Sequence, residues 1–188
     1  RDPQDLLDKL EAVRLVCQET GCAQRYLGGD GLAAIQQGTH RLDAETGGEY
    51  HARFLAYLDH VYAQDLTLGL AMTDAKGDRS LRPHAQPDQG AYVRIVGRVS
   101  GVKATVTGAP YMHELLVMPG RAMTEADRDF AVCCAVPVDA PGLTIVARPA
   151  GRPGEPAAKF SAKYGQSTGV CLFDRVFVPW ERVFVAGE

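Results

Sequence analysis

The sequence predicts an α+β protein: an N-terminal α-helical segment followed by an antiparallel β-barrel or sandwich domain. Three observations predict it. Apolar residues recur at helical spacing up to about Met72, the stretch from Thr73 to Gly90 loses all periodicity, and from Ala91 onward the apolar runs are short and bounded by Gly, Pro or Asp. The two parts are residues 1–72 and 73–188.

Within the first part, "LLDKLEAVRLVCQE" places Leu6, Leu7, Leu10, Val13, Val16 and Cys17 on one stripe at spacings of three and four. "GDGLAAIQQGTHRL" supplies a second helix with Asp30 as its N-cap. "EYHARFLAYLDHVYAQDLTLGLAM" reads as a third, with Tyr50, Phe54, Tyr57, Leu58 and Val61 on its apolar face. Breaks fall near Gly28 and Gly47.

The stretch "TDAKGDRSLRPHAQPDQG" (73–90) is polar, carries two prolines and reads as a loop at a domain junction. Beyond it, "AYVRIV", "RVSGVKATVTG", "ELLVMP", "FAVCCAVPV", "LTIVARP" and "GVCLFDRVFVP" read as strands, and "RPAGRPGEPAAK" (148–159) as a Pro/Gly loop.

At 188 residues and 46% hydrophobic content the chain can bury a sizeable core. Its net charge of -3 comes from interspersed charges with no Lys/Arg block, which argues against a nucleic-acid partner. No apolar run reaches the roughly 18–20 residues of a membrane helix, and "RDPQDLLDKL" lacks the features of a signal peptide. A cytoplasmic protein is the expectation. Five cysteines, with Cys133 and Cys134 adjacent and no CxxC pair, encode neither a disulfide framework nor a zinc knuckle. Arg1 in place of a methionine reads as the start of a fragment of a longer protein.

Candidate chemistry sits in a few places. On a strand, Lys103, Thr105 and Thr107 share a face, so two hydroxyls and the following Gly108–Ala109 backbone could line a flat, polar-edged ring. The loop "MTDAKGDRS" offers Thr73, Lys76, Asp78 and Arg79; Arg79 suits a carboxylate or phosphate, and an Asp–Arg pair pinning the junction is the alternative. Cys22 and Tyr26, four apart in "GCAQRYLGGDG", lie on one face if that segment is helical. Trp180, in "VFVPWERVF", reads as a packing residue. "HEL" at 113–115 is not a zincin motif, and His40, His51 and His60 read as surface residues.

Four stretches together, "CAQRYLGGDGLAAI", "AMTDAKGDRSLRPHAQ", "GVKATVTGAPYMHELLVMP" and "TGVCLFDRVFVPWERVF", resemble the flavoprotein family that contains 4-hydroxyphenylacetate 3-hydroxylases and 4-hydroxybutyryl-CoA dehydratases. The fold this implies is like that of acyl-CoA dehydrogenases. Residues 1–72 would be the end of an N-terminal helical domain and 73–188 the middle β-domain. The C-terminal helical bundle, against which FAD lies, would be absent, so an isolated chain would bind flavin poorly. FAD is the implied cofactor, with Thr73, Thr105, Thr107, Gly108 and Ala109 as its binding residues.

The resemblance also divides into two branches. In the dehydratases the first stretch reads C-x-x-x-C and both thiolates bind an iron-sulfur cluster; Cys22 matches the first, while Tyr26 stands where the second would be. A phenol is a poor substitute for a soft thiolate. The dehydratases also carry a glutamate where this chain has Thr168, and threonine cannot act as a carboxylate base.

In the hydroxylases the helix face carries Arg and Tyr, and the tyrosine positions a phenolic substrate; Tyr26 matches it and Cys22 departs from the arginine. Their third-helix histidine, near Leu68 here, is missing, and "YVRIVGRVSG" makes a tighter join than is usual. The expected function is therefore an FAD-dependent monooxygenase that hydroxylates a phenolic substrate, with reduced flavin supplied by a flavin reductase, Tyr26 and Arg79 as its catalytic residues and a homotetramer as the full-length assembly. A CoA-thioester dehydratase or isomerase is the alternative, with Cys22 on a cluster if one exists, and an inactive or truncated homologue is the third reading.

Overall fold

The computed structural model describes residues 3–20, 28–75, 77–95, 97–149 and 167–187. Three helices come first: α1 (Pro3–Thr20), α2 (Gly29–Thr46) and α3 (Tyr50–Ala63). Among the described residues eight strands follow: β1 (Leu68–Ala71), β2 (Arg94–Ile95), β3 (Val99–Thr107), β4 (Glu114–Val117), β5 (Val132–Pro137), β6 (Leu143–Arg148), β7 (Thr168–Val176) and β8 (Val183–Ala186). They form two four-stranded sheets, ordered β1-β4-β5-β8 and β2-β3-β7-β6.

The α+β class holds, and of the two β architectures expected, the packed pair of open sheets is what forms rather than a closed barrel. One strand pair also departs from the antiparallel expectation. β1 runs parallel to β4, Leu68 opposite Glu114 and Ala71 opposite Val117, because the long excursion through β2 and β3 separates them.

The predicted third helix was to continue to Met72, whereas α3 stops at Ala63 and Leu68–Ala71 are strand. The run "LTLGLA" carries no helical stripe of its own, and pairing with β4 satisfies its backbone. The position near Leu68, where a helical histidine was sought, is therefore on a strand.

The first sheet is a middle layer. Leu115, Val117, Cys134 and Val136 face the second sheet, in a core with Val99, Val106, Phe173 and Val176. Leu116, Cys133 and Ala135 face the opposite way, onto Ile35, Phe54, Tyr57 and Leu58 of the helices. This two-sided burial is why "ELLV" and "VCCAV" read as unbroken apolar runs. The second sheet has one face in the core and one open: β7 alternates, with Cys171 and Phe173 inside and Leu172 and Val170 outside.

The apolar face predicted for α3 is buried at Phe54, Tyr57, Leu58 and Val61. α2 is capped at its start by Gly28, at φ 80°, so Asp30 lies inside the first turn, where its charge favours the dipole without capping it. Gly47, at φ 71°, ends that helix in the left-handed conformation. Gly31 lets α2 press on β4: a Cβ there would sit 2.9 Å from Leu116. On α1, Leu7, Leu10 and Val16 of the predicted stripe are exposed.

Candidate functional site

The loop leaving β1 is tied to the second sheet rather than hanging free. Ala104 N–H donates to Thr73 O at 2.8 Å, and Asp74 forms an isolated bridge with Lys103. Lys103 itself is buried at 1% exposure, and its ammonium donates to Met72 O (3.0 Å), Met118 O (2.8 Å) and the Asp74 carboxylate. One amine thus joins the exits of β1 and β4, on the first sheet, to β3 on the second. Burial lowers the Lys103 pKa, and the adjacent Asp74 opposes that shift.

Lys103 secures the floor of a cleft of about 260 Å³ lined by Thr73, Asp74, Arg79, Tyr92, Gly120 and Arg121 among others. Two predicted residues, Thr73 and Arg79, therefore share one cavity. The expected alternative for Arg79, a pair with Asp78, does not form. Asp78 accepts instead from Ser80 N–H (2.9 Å) and Ser80 Oγ, which lower its pKa. The Arg79 guanidinium has no partner among the described residues.

The strand expectation for "KATVTGAP" needs a correction. The ladder between β3 and β7 slips between Lys103 and Val106, so both of these side chains point into the core. The extra residue of this bulge breaks the period of two that was to place Lys103 beside Thr105 and Thr107. Thr105 takes up the bulge at φ 52°, a left-handed conformation unusual for a β-branched residue and costing about 1–3 kcal/mol.

Thr105 is exposed and Thr107 half-buried, and neither hydroxyl is bonded to a described residue. Thr107 pairs directly with Thr168 on β7. Gly108 and Ala109 follow, both buried, with the Gly108 N–H donating to Ser167 O at 2.8 Å. A ring approaching this end of β3 would meet free hydroxyls on Thr105 and Thr107. The donor set suits a flavin edge, while the Gly108 amide is already committed to the strand end.

Beside the cleft, a second network braces the loops that form its walls. Asp127, fully buried, accepts from His84 Nδ1 (2.8 Å), Thr124 Oγ1 (2.7 Å) and Arg82 Nε (3.2 Å). Burial alone would raise its pKa, but the bonds from His84 and Thr124 hold it below the usual carboxylate range. Thr124 and Asp127 form a reciprocal capping box on the short helix Glu125–Phe130. The T-x-x-D spacing was the sequence signal for this network.

A third network, on the far side of the first sheet, was not foreseen. Buried Glu114 accepts from Tyr57 Oη and Arg182 Nη1, both at 2.9 Å, and burial with the Glu114 charge raises the Tyr57 pKa far above its ordinary value. Trp180, read as a packing residue, is 58% exposed and stacks on Arg53 with its guanidinium 4.3 Å from the ring centroid.

Cys22, Tyr26, Lys76 and the segment 150–166 lie outside the described residues. The chain emerges from that N-terminal stretch at Gly28, packed on Leu68 at the start of β1. Among the described residues no three His, Cys, Asp or Glu side chains are grouped to hold a metal ion. The thiols of Cys133 and Cys171 are buried, and burial pushes Cys134 up to about 12 and Cys171 to about 11. No helix among the described residues is long and apolar enough to cross a membrane.

Comparison with known proteins agrees with this architecture. The family model "4-hydroxyphenylacetate 3-hydroxylase N terminal" matches residues 1–185. The 4-hydroxybutyryl-CoA dehydratase/vinylacetyl-CoA-Delta-isomerase of Clostridium aminobutyricum is 39% identical over 98% of this chain and 40% of its own length. The 4-hydroxyphenylacetate 3-monooxygenase oxygenase component of Thermus thermophilus is 30% identical over 77% of this chain and 32% of its own.

Among solved structures, an oxygen-tolerant archaeal 4-hydroxybutyryl-CoA dehydratase from N. maritimus superposes at a TM-score of 0.88 with 36% identity, over 98% of this chain and 39% of that one. The oxygenase component of 4-hydroxyphenylacetate 3-monooxygenase complexed with FAD gives 0.67 with 30% identity, over 85% and 34%. The chain thus spans about two fifths or less of the relatives it matches. With residues 1–185 of 188 covered by that model, the chain belongs to the 4-hydroxyphenylacetate 3-hydroxylase family, matching the family's N-terminal region.

Proposed function

We propose that this chain forms the N-terminal helical and middle β-domains (1–72 and 73–188) of an FAD-dependent monooxygenase that hydroxylates a phenolic substrate. The observation that carries this reading is the pair Thr107–Thr168. Where the dehydratases are expected to carry a carboxylate base, this chain sets one hydroxyl opposite another. A hydroxyl can donate to a flavin edge and favour its reduced, anionic form, but it cannot abstract a proton from carbon.

When bound, the flavin would supply activated oxygen, its electrons coming from a separate reductase. Thr105 and Thr107 would hold its polar edge and Thr73 would meet it from the β1 exit. Arg79, unpaired on the cleft wall, would attract an anionic group of the substrate, and Tyr26 would orient the phenol by its hydroxyl. FAD in solved structures of an oxygenase relative supports the cofactor. The oxygenase-component relatives support a flavin reductase as partner.

A second reading, a CoA-thioester dehydratase or isomerase, is favoured by overall similarity: 39% identity and a TM-score of 0.88 on that side against 30% and 0.67 on the other. The two separate cleanly by oxygen demand. Full-length protein given reduced FAD, air and a panel of phenols should form catechols. Anaerobic conversion of 4-hydroxybutyryl-CoA, with no product from any phenol, would assign the other chemistry.

A further inference from the structure

We propose that the cleft between the β2–β3 hairpin and the end of β7 is an anion site for a phosphate-bearing small molecule, its phosphates held by Arg94, Arg98 and Arg175. The cleft has a volume of about 570 Å³ and is lined by Arg94, Gly97, Arg98, Ser100 and Arg175. That volume exceeds what a single phosphate needs and falls within the roughly 300–1,000 Å³ range of small-molecule sites.

Three cations meet here in a chain whose net charge is -3, yet none of them has an ion-pair partner among the described residues. Elsewhere Arg14, Arg41, Arg82, Lys103, Arg128 and Arg182 each face a carboxylate. Even Asp174, next in sequence to Arg175, pairs with none of the three. Among the described residues Arg79 and Arg121 also lack a carboxylate, but only here do three such cations share one cleft, and an anion among them would relieve their mutual repulsion.

The guanidinium groups of Arg94 and Arg98 are placed rather than loose, and the backbone of Arg175 is fixed beside them. Arg98 Nη1 donates to Arg175 O at 3.3 Å, and its guanidinium lies 5.6 Å from the Phe177 ring centroid. Arg94 Nη1 donates to Gln89 Oε1 at 3.3 Å. Arg175 is held at φ 52° while its N–H donates to Ser100 Oγ at 3.1 Å. Gly101, at φ 135°, permits this tight hairpin, since a Cβ there would meet Tyr92 O at 2.3 Å. Arg94 and Arg98 each commit one N–H of five, leaving planar forks that match phosphate oxygens two at a time.

The site stands apart from the hydroxyl edge. Arg98 precedes β3, and Thr107 ends it, roughly 30 Å further along at strand rise. The group recognised is a diphosphate, as ADP and coenzyme A carry; the diphosphate of a flavin whose ring lies at Thr105 and Thr107 is too close to that ring to reach this cleft, so the inference does not depend on which reaction the protein performs.

Calorimetric titration of the full chain with pyrophosphate, ADP, FAD and coenzyme A at low salt tests it. Saturable pyrophosphate binding is expected, weakened about tenfold or more by Arg98→Gln or Arg175→Gln, less by Arg98→Lys, and unchanged by Arg41→Gln on α2. Loss of coenzyme A affinity alone in Arg98→Gln identifies the thioester carrier as the source of the diphosphate, loss of ADP affinity as well identifies a nucleotide diphosphate in general, and FAD affinity, read at the distant hydroxyl edge, is expected to stay unchanged. Absence of saturable binding by pyrophosphate, ADP and coenzyme A overturns the proposal. So does unaltered binding in a triple Arg94→Gln, Arg98→Gln, Arg175→Gln variant whose circular dichroism matches the parent. Either failure leaves phenol hydroxylation, read by product formation, untouched.

Discussion

The two sides of the first sheet handle polar groups in opposite ways. On the helix side, Glu114, Tyr57 and Arg182 form a closed knot in which Glu114 uses both carboxylate oxygens. On the side of the second sheet, Lys103 is equally buried and saturated, but it secures a cleft whose Thr73 and Arg79 side chains are uncommitted. The first arrangement holds the layers together, and the second holds a surface ready for something else. Uncommitted donors above a rigid, satisfied base are the signature of preorganisation, and they set the candidate site apart from the fastening of the layers.

This contrast predicts a graded series. Glu114→Ala should be the most damaging substitution, costing about 3–5 kcal/mol, because it leaves the buried Tyr57 hydroxyl and the part-buried Arg182 without their acceptor. Urea unfolding would read it as a lower midpoint at constant slope. Lys103→Met should cost less, about 2–3 kcal/mol, leaving two carbonyls and Asp74 without their donor.

Asp127→Asn should cost about 1–2 kcal/mol near neutral pH, and its effect should depend on pH. The folded pKa of Asp127 is depressed, so its contribution is complete above the ordinary carboxylate value near 3.9 and is lost as pH falls through the folded value. The gap between parent and variant should therefore close on acidification, which unfolding curves at a series of pH values would follow. Thr105→Gly reverses the sign: it relieves the left-handed strain and should raise stability by about 1 kcal/mol while weakening flavin binding.

Much of the fold was legible, for identifiable reasons. α3 announced itself because Phe54, Tyr57, Leu58 and Val61 recur at helical spacing and bury one face. β5 was legible because "VCCAV" is buried on both faces. β1 was not: four residues after a long helix carry no period of their own, and only their distant partner β4 makes them a strand. The Lys103–Thr105 face was misread for a similar reason, since a bulge depends on how β7 pairs and leaves no mark in "KATVT". That Thr73 and Arg79 lie in one loop and line one cleft was legible because a polar loop after an apolar run is where a cleft can open. The Glu114 knot escaped notice because its members are 57 and 68 residues apart, and nothing local in "HELL" tells a buried glutamate from an exposed one.

The central claim is that the hydroxyls of Thr105 and Thr107 hold the flavin edge, and flavin affinity measured on the full-length protein tests it most directly. Fluorescence titration of FAD into the parent and into a Thr105→Val, Thr107→Val variant should show affinity falling about tenfold or more, with an unfolding midpoint that stays within experimental error. Equal FAD affinity in the two proteins would contradict the account.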